Sequence, residues 1–128
     1  MTDAVIGRIS GIVIDCPDPT ALAAFYEPLL GASRVHDSAD WVTLDAGPGL
    51  PTVSLQRNDR FSAPDWTTGQ PPQQLHLDVL VDDLDQAQEK VLALGAVLLE
   101  GSDKPIGYRV YADPVGHPFC LVTPEGLG

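Results

Sequence analysis

Two stretches of helical period stand out in a chain that otherwise alternates apolar and polar positions in short runs. Leu22, Phe25, Tyr26, Leu29 and Leu30 recur at i, i+3, i+4, i+7 and i+8, the spacing of one helix face. Asp18 supplies an N-cap carboxylate, Pro19 the favoured first helical residue and Gly31 a left-handed stop. Pro28 is the local conflict, because it removes an intrahelical bond and is expected to bend the last turn. Further on, Asp82 and Asp83 cap a second helix with Leu84, Ala87, Val91 and Leu94 as its apolar stripe and Gly95 at its end.

Strands are predicted around both helices. Residues 9–15 are rich in β-branched side chains and predict a largely buried strand, and residues 33–35, 41–45 and 52–57 predict a meander after the first helix. Residues 75–81 alternate, with Leu75, Leu77, Val79 and Val81 on one face and His76, Asp78 and Leu80 on the other. Strands over 97–100, 108–112 and 119–123 follow, the last two separated by the turn Asp113-Pro114-Val115-Gly116. Residues 58–73, with Pro64, Gly69, Pro71 and Pro72, read as a connecting loop.

Laid over each other, the halves repeat. Asp18 to Gly31 and Asp82 to Gly95 each span 13 positions, each is followed by alanine, and Val53-Ser54-Leu55 falls where Phe119-Cys120-Leu121 falls. A strand, a capped helix and a three-strand meander occurring twice is an internal duplication. The expected class is α+β, with two tandem βαβββ modules at about 5–57 and 74–124 in a single domain over residues 1–128.

Composition narrows the function classes. A chain of 128 residues has room for one domain, burying about 65–70% of its unfolded surface. Its 18 acidic residues outweigh 7 basic ones, for a formal net charge of −11. That field repels phosphate backbones and anionic lipids, so no nucleic acid or membrane partner is expected, while a cationic partner is compatible. Acidity also serves solubility alone. With no apolar run long enough to span a bilayer and no signal-like start, the protein is expected to be cytoplasmic. Cys16 and Cys120 lie in no C-x-x-C pair, as thiols of a reducing compartment do. Phosphate-loop, dinucleotide-binding, nucleophile-elbow and H-E-x-x-H motifs are absent, so no cofactor is expected.

Three segments together resemble the vicinal-oxygen-chelate superfamily, the group of glyoxalase I, bleomycin-resistance proteins and extradiol dioxygenases. They are Asp18 through Phe25-Tyr26 to Leu29-Leu30-Gly31, Leu75-His76-Leu77-Asp78 leading to Val81-Asp82-Asp83, and Asp113 through Gly116-His117-Pro118-Phe119-Cys120-Leu121. The resemblance implies two modules shaping a curved, partly open mixed-sheet cup, and a homodimer. In metal-dependent members four side chains, from the first and last strands of the two modules, converge on a divalent ion. Here those positions fall at Gly11 (Ser10 or Ile12 if the register shifts by one), Ser54, His76 and Cys120. One imidazole, one thiol and one hydroxyl fall short of the donor set such an ion needs, so no metal site is expected.

His76 breaks the apolar alternation of its strand and is the first candidate for lining a pocket; a hydrogen-bonded structural histidine is the plainer alternative. Asp78 is its neighbour on that face and, with His76, forms the one acid/base pair in view. Cys120 is a nucleophile only if something lowers its pKa, and the nearest cation in sequence is His117. Trp41, Trp66, Tyr108 and Tyr111 are candidates for an apolar lining or for core. Arg109, between two tyrosines, is placed to meet a ligand carboxylate or to pair with a surface acid. The favoured reading is a module that binds a small organic molecule through Trp41, Ser54, Trp66, His76, Tyr108, Arg109 and Cys120, with sequestration of a cationic drug as one version. The alternatives are a lyase, isomerase or dioxygenase, metal-dependent or working through His76 and Asp78, and a regulatory domain that has kept the scaffold alone.

Overall fold

A computed structural model describes residues 6–126. The chain divides into two compact units, Met1–Arg60 and Phe61–Gly128. In the first, β1 (Gly11–Cys16) leads to α1 (Pro19–Leu30) and then to β2 (Ser33–Asp37), β3 (Trp41–Asp45) and β4 (Thr52–Arg57). In the second, β5 (Leu77–Leu80) leads to α2 (Leu84–Ala93), β6 (Val97–Glu100), β7 (Tyr108–Ala112) and β8 (Pro118–Val122). Each unit holds one four-stranded mixed sheet, in the order β1-β4-β3-β2 or β5-β8-β7-β6.

The crossover from β1 to β4 is parallel and carries the helix, whereas the meander strands pair antiparallel. Leu22, Ala23, Phe25 and Tyr26 of α1 are buried. Their partners are the alternate strand residues Ile14, Cys16, Val42, Leu44, Val53 and Leu55, all buried and all on one side of the first sheet. The second unit repeats the scheme with fewer apolar positions, Leu84 and Val91 of α2 packing over buried Tyr111, Phe119 and Leu121. Dense packing of such side chains is the main favourable term in each unit.

Capping follows the sequence closely for α1. The Asp18 carboxylate accepts from the Ala21 amide at 3.3 Å, and Gly31 closes the helix at φ 62°. Pro28 sits inside the helix without ending it. For α2 the cap is Asp83, whose carboxylate accepts from the Gln86 amide at 3.0 Å. Asp82 is therefore not the counterpart of Asp18, and the matched 13-residue spans conceal helices of 12 and 10 residues.

Two strand expectations need correction, and the pairing register adds a third finding. β1 begins at Gly11 and is only half-buried, because it is an outer strand with the helix on one face alone. β5 begins at Leu77, so His76 stands just before the strand, and Leu75 is exposed. Both meanders contain a register shift, between Arg34 and His36 and between Leu98 and Glu100. The second shift turns Glu100 to the side opposite the one simple alternation from Tyr111 assigns it.

Candidate functional site

On the side of the second sheet away from α2, one row of side chains crosses four strands. Asp78 of β5 pairs with Cys120 of β8, Cys120 with Val110 of β7, and Val110 with Glu100 of β6. Residues directly opposite in a sheet project the same way, so this row places one thiol and two carboxylates on a common face. His76, two residues before Asp78, shares that side; its Nε2 lies 3.2 Å from the Asp78 Oδ1. One donor atom each from His76, Asp78 and Cys120 lies within 4.8 Å of the others.

The three differ in access. The side chains of His76 and Asp78 are 39% and 52% exposed, whereas Cys120 is 7% exposed and packs with Val110, Val122 and Leu99. Burial first, and then the Asp78 and Glu100 carboxylates, push the Cys120 thiol up to about 11, with Lys104 opposing them. At neutral pH the thiol keeps its proton, so it is a donor and weak acceptor and not a nucleophile. The cation near it is Lys104 and not His117, whose ring lies tilted against Phe61 with 4.7 Å between centroids.

Two aromatic side chains flank the row. The Trp66 indole donates to Glu100 Oε1 at 3.1 Å, and the Tyr108 ring, which faces the same side as Val110, carries the Lys104 ammonium 3.9 Å from its centroid. Both aromatics are exposed. Sequence reading had no hold on Glu100 or Lys104: the register shift in β6 decides where Glu100 points, and Lys104 lies on a connecting turn.

Arg109 and Tyr111 belong to the other side of the sheet. Arg109 is 3% exposed, and its guanidinium donates to Asp85 Oδ1 at 2.8 Å, Gln88 Oε1 at 3.2 Å and the Lys104 carbonyl at 2.6 Å. Burial works against its charge, but the neighbouring Asp85 and Tyr111 outweigh that and raise its pKa. Tyr111 is fully buried, donates to Gln88 Oε1 at 2.8 Å and stacks on Phe119. Of the two alternatives for Arg109, pairing with a surface acid is the contact present, and it ties α2 to the sheet.

Trp41 and Ser54 lie on the helix-free side of the first sheet. Trp41 donates to Thr43 Oγ1 at 2.8 Å and Ser54 to the same hydroxyl at 3.3 Å. Thr43 joins the two, and the alternation of β3 was the signal that would have found it. The four positions that the resemblance assigns to a metal do not form a matching donor set. Gly11 offers no side chain, and a β-carbon there would come within 2.5 Å of the Thr52 hydroxyl. Ser54 is already bonded to Thr43. All three donors of the close group come from the second unit.

A family model described as the glyoxalase-like domain matches residues 11–122. Among solved structures, the fold is similar to that of a glyoxalase/bleomycin resistance protein/dioxygenase family enzyme from Burkholderia phytofirmans PsJN, at 20% identity and TM-score 0.70, over 91% of this chain and 98% of that one. A fosfomycin resistance protein from Mesorhizobium loti aligns at 16% identity and TM-score 0.68, over 92% of both chains. The bleomycin-binding protein from Streptomyces verticillus aligns at 16% identity and TM-score 0.58, over 94% of this chain and all (100%) of that one. At these identities the likeness is one of fold. Comparison with curated proteins gives no match. Among the described residues no helix is long and apolar enough to cross a membrane.

Proposed function

Since the chain belongs to the glyoxalase-like domain family, we propose that it binds a small organic molecule on the helix-free face of the second sheet, without the four-donor metal centre of the family's metal-dependent members. The observation that carries this reading is the row Asp78–Cys120–Val110–Glu100 with His76 beside it. It sets a few polar groups against apolar Val110, Val122 and Leu99 and the aromatic flanks Trp66 and Tyr108. Ligand sites combine apolar lining with a few placed polar groups in this way. Burial of ligand surface supplies affinity at roughly 25 cal/mol per Å², and the His76–Asp78 pair and the protonated Cys120 thiol fix orientation. Within the first unit, Trp41 and Ser54 on its helix-free face are proposed as ligand-contacting residues of that unit.

Two carboxylates at the site and a formal net charge of −11 favour a cationic ligand. Among the structural relatives, one is described as a fosfomycin resistance protein and another as a bleomycin-binding protein; sequestration of a cationic drug is the corresponding version here. The test is a titration of cationic and neutral drug-like molecules with tryptophan fluorescence as readout. Saturable quenching that weakens about tenfold in His76→Ala is expected. Emission unmoved across both sets of ligands would sink the reading.

One observation favours catalysis as a second reading. The 3.2 Å contact between His76 Nε2 and Asp78 Oδ1 sets an acid/base pair side by side at a solvent-reachable place, suited to a lyase or isomerase step on a small oxygenated substrate. Turnover lost in both His76→Ala and Asp78→Asn would favour it over simple binding. The outer strands β1, β2, β5 and β6 support a homodimer as the working form. Cys16 and Cys120, buried and not joined in a disulfide, suit a cytoplasmic protein.

A further inference from the structure

We infer that His76, Asp78 and Cys120 form a three-donor site for one thiophilic divalent cation such as zinc, complete within the second unit. It draws on the same three side chains as the proposed ligand face, in their metal-bound instead of their metal-free state, and is tested independently of ligand binding. His76 and Cys120 occupy positions where the family resemblance expects donors, but Asp78 does not, and among the described residues no member of the group comes from the first unit. The site is thus not a reduced copy of a four-donor centre. It is a different set, made possible because Asp78 is the residue that pairs with Cys120 across β5 and β8.

Geometry supports the assignment. Tetrahedral zinc holds nitrogen and oxygen ligands at about 2.0–2.1 Å and sulfur at about 2.3 Å, which separates an N,O pair by roughly 3.3 Å and an N,S pair by roughly 3.6 Å. The His76 Nε2 to Asp78 Oδ1 distance is 3.2 Å, and the full set lies within 4.8 Å, so side-chain rotation closes the remainder. A thiolate and a carboxylate balance a dication while the imidazole stays neutral. The sulfur selects zinc or a similar soft ion against magnesium or calcium. On binding, the Cys120 S–H bond breaks, its proton passes to solvent and a sulfur–metal bond forms; His76 carries its remaining proton on Nδ1 and offers the Nε2 lone pair. No electron changes hands. The exposure of His76 and Asp78 gives the ion a way in and leaves its fourth position to water.

The test is a titration of the full chain with cobalt(II) under reducing conditions, read by the sulfur-to-cobalt charge-transfer band. A band that saturates at one equivalent, bleaches with zinc and ignores excess magnesium is expected. It disappears in Cys120→Ser and in His76→Ala, weakens at least tenfold in Asp78→Asn, and persists in Cys16→Ala. Circular dichroism confirms that each variant folds, and His76→Ala, at an exposed site, keeps the test open if Cys120→Ser does not fold. No band in folded protein, a band that survives Cys120→Ser, or one indifferent to Asp78→Asn overturns the assignment. Organic-ligand quenching repeated in excess chelator separates the two proposals, because it persists if only the metal site is wrong.

Discussion

Placed in the same register, the two units share a scaffold and differ along one row. In the first, Val13 pairs with Ser54, Ser54 with Thr43 and Thr43 with His36; in the second, Asp78 pairs with Cys120, Cys120 with Val110 and Val110 with Glu100. The apolar branch is at the outer parallel strand in the first unit and on the inner β7 in the second. Gly11 stands two residues before Val13 as His76 stands two before Asp78. The first unit closes its hydroxyls into a local hydrogen-bonded set around Thr43. The second gathers two carboxylates, a thiol and an imidazole. A duplicated fold can therefore keep its helix-covered side in both copies and place its chemistry in one, because the two sides of a sheet are addressed by alternate residues.

The largest test asks whether the helix-covered sides are equivalent cores. Leu55 and Leu121 directly follow Ser54 and Cys120 and are both fully buried. Each Leu→Ala change is expected to cost about 2–5 kcal/mol in urea unfolding. A loss below about 1 kcal/mol in either would break the equivalence.

Next comes Arg109, which stands opposite Leu121 where the first unit has Val42 opposite Leu55. Arg109→Ala leaves the Lys104 carbonyl without the guanidinium donor and Gln88 Oε1 with the Tyr111 hydroxyl as its remaining donor, and is expected to cost about 2–3 kcal/mol. Asp85→Asn should cost less than about 1 kcal/mol, since the Asp85 side chain is 84% exposed and its charge is screened. Ligand affinity unchanged in Arg109→Ala protein that still folds keeps Arg109 out of the binding face; a selective loss of affinity would return it there.

The smallest effect concerns the caps. Asp83→Ala is expected to destabilise by about 1 kcal/mol, as Asp18→Ala should, while Asp82→Ala stays within about 0.5 kcal/mol. Equal losses at Asp82 and Asp83 would contradict the cap seen at α2.

Much of the scaffold was legible because the governing signals are local. Asp18, Pro19 and Gly31 set the limits of α1 by capping, φ restriction and left-handed tolerance, none of which needs a tertiary partner. The ranges 41–45, 52–57, 97–100 and 108–112 coincide with β3, β4, β6 and β7. The start of β1 was less legible, since an outer strand ends where its neighbour ends. Asp82 and Asp83 are both competent caps by type, and only the path of the chain after β5 selects one.

By itself the sequence determined the class, the repeated element order, the α1 boundaries and the absence of charged or imidazole donors at Gly11 and Ser54, because periodicity, capping and residue type are properties of short stretches. Only the tertiary structure decided which side of the second sheet each polar residue occupies. Arg109 and Tyr111 turn to α2, Glu100 turns with the register shift to face Cys120, and Asp78 meets Cys120 from 42 positions away. Strand pairing and register are long-range choices, and a shift of one residue reverses every side chain in a strand. Local pattern can therefore name the donors but not bring them together.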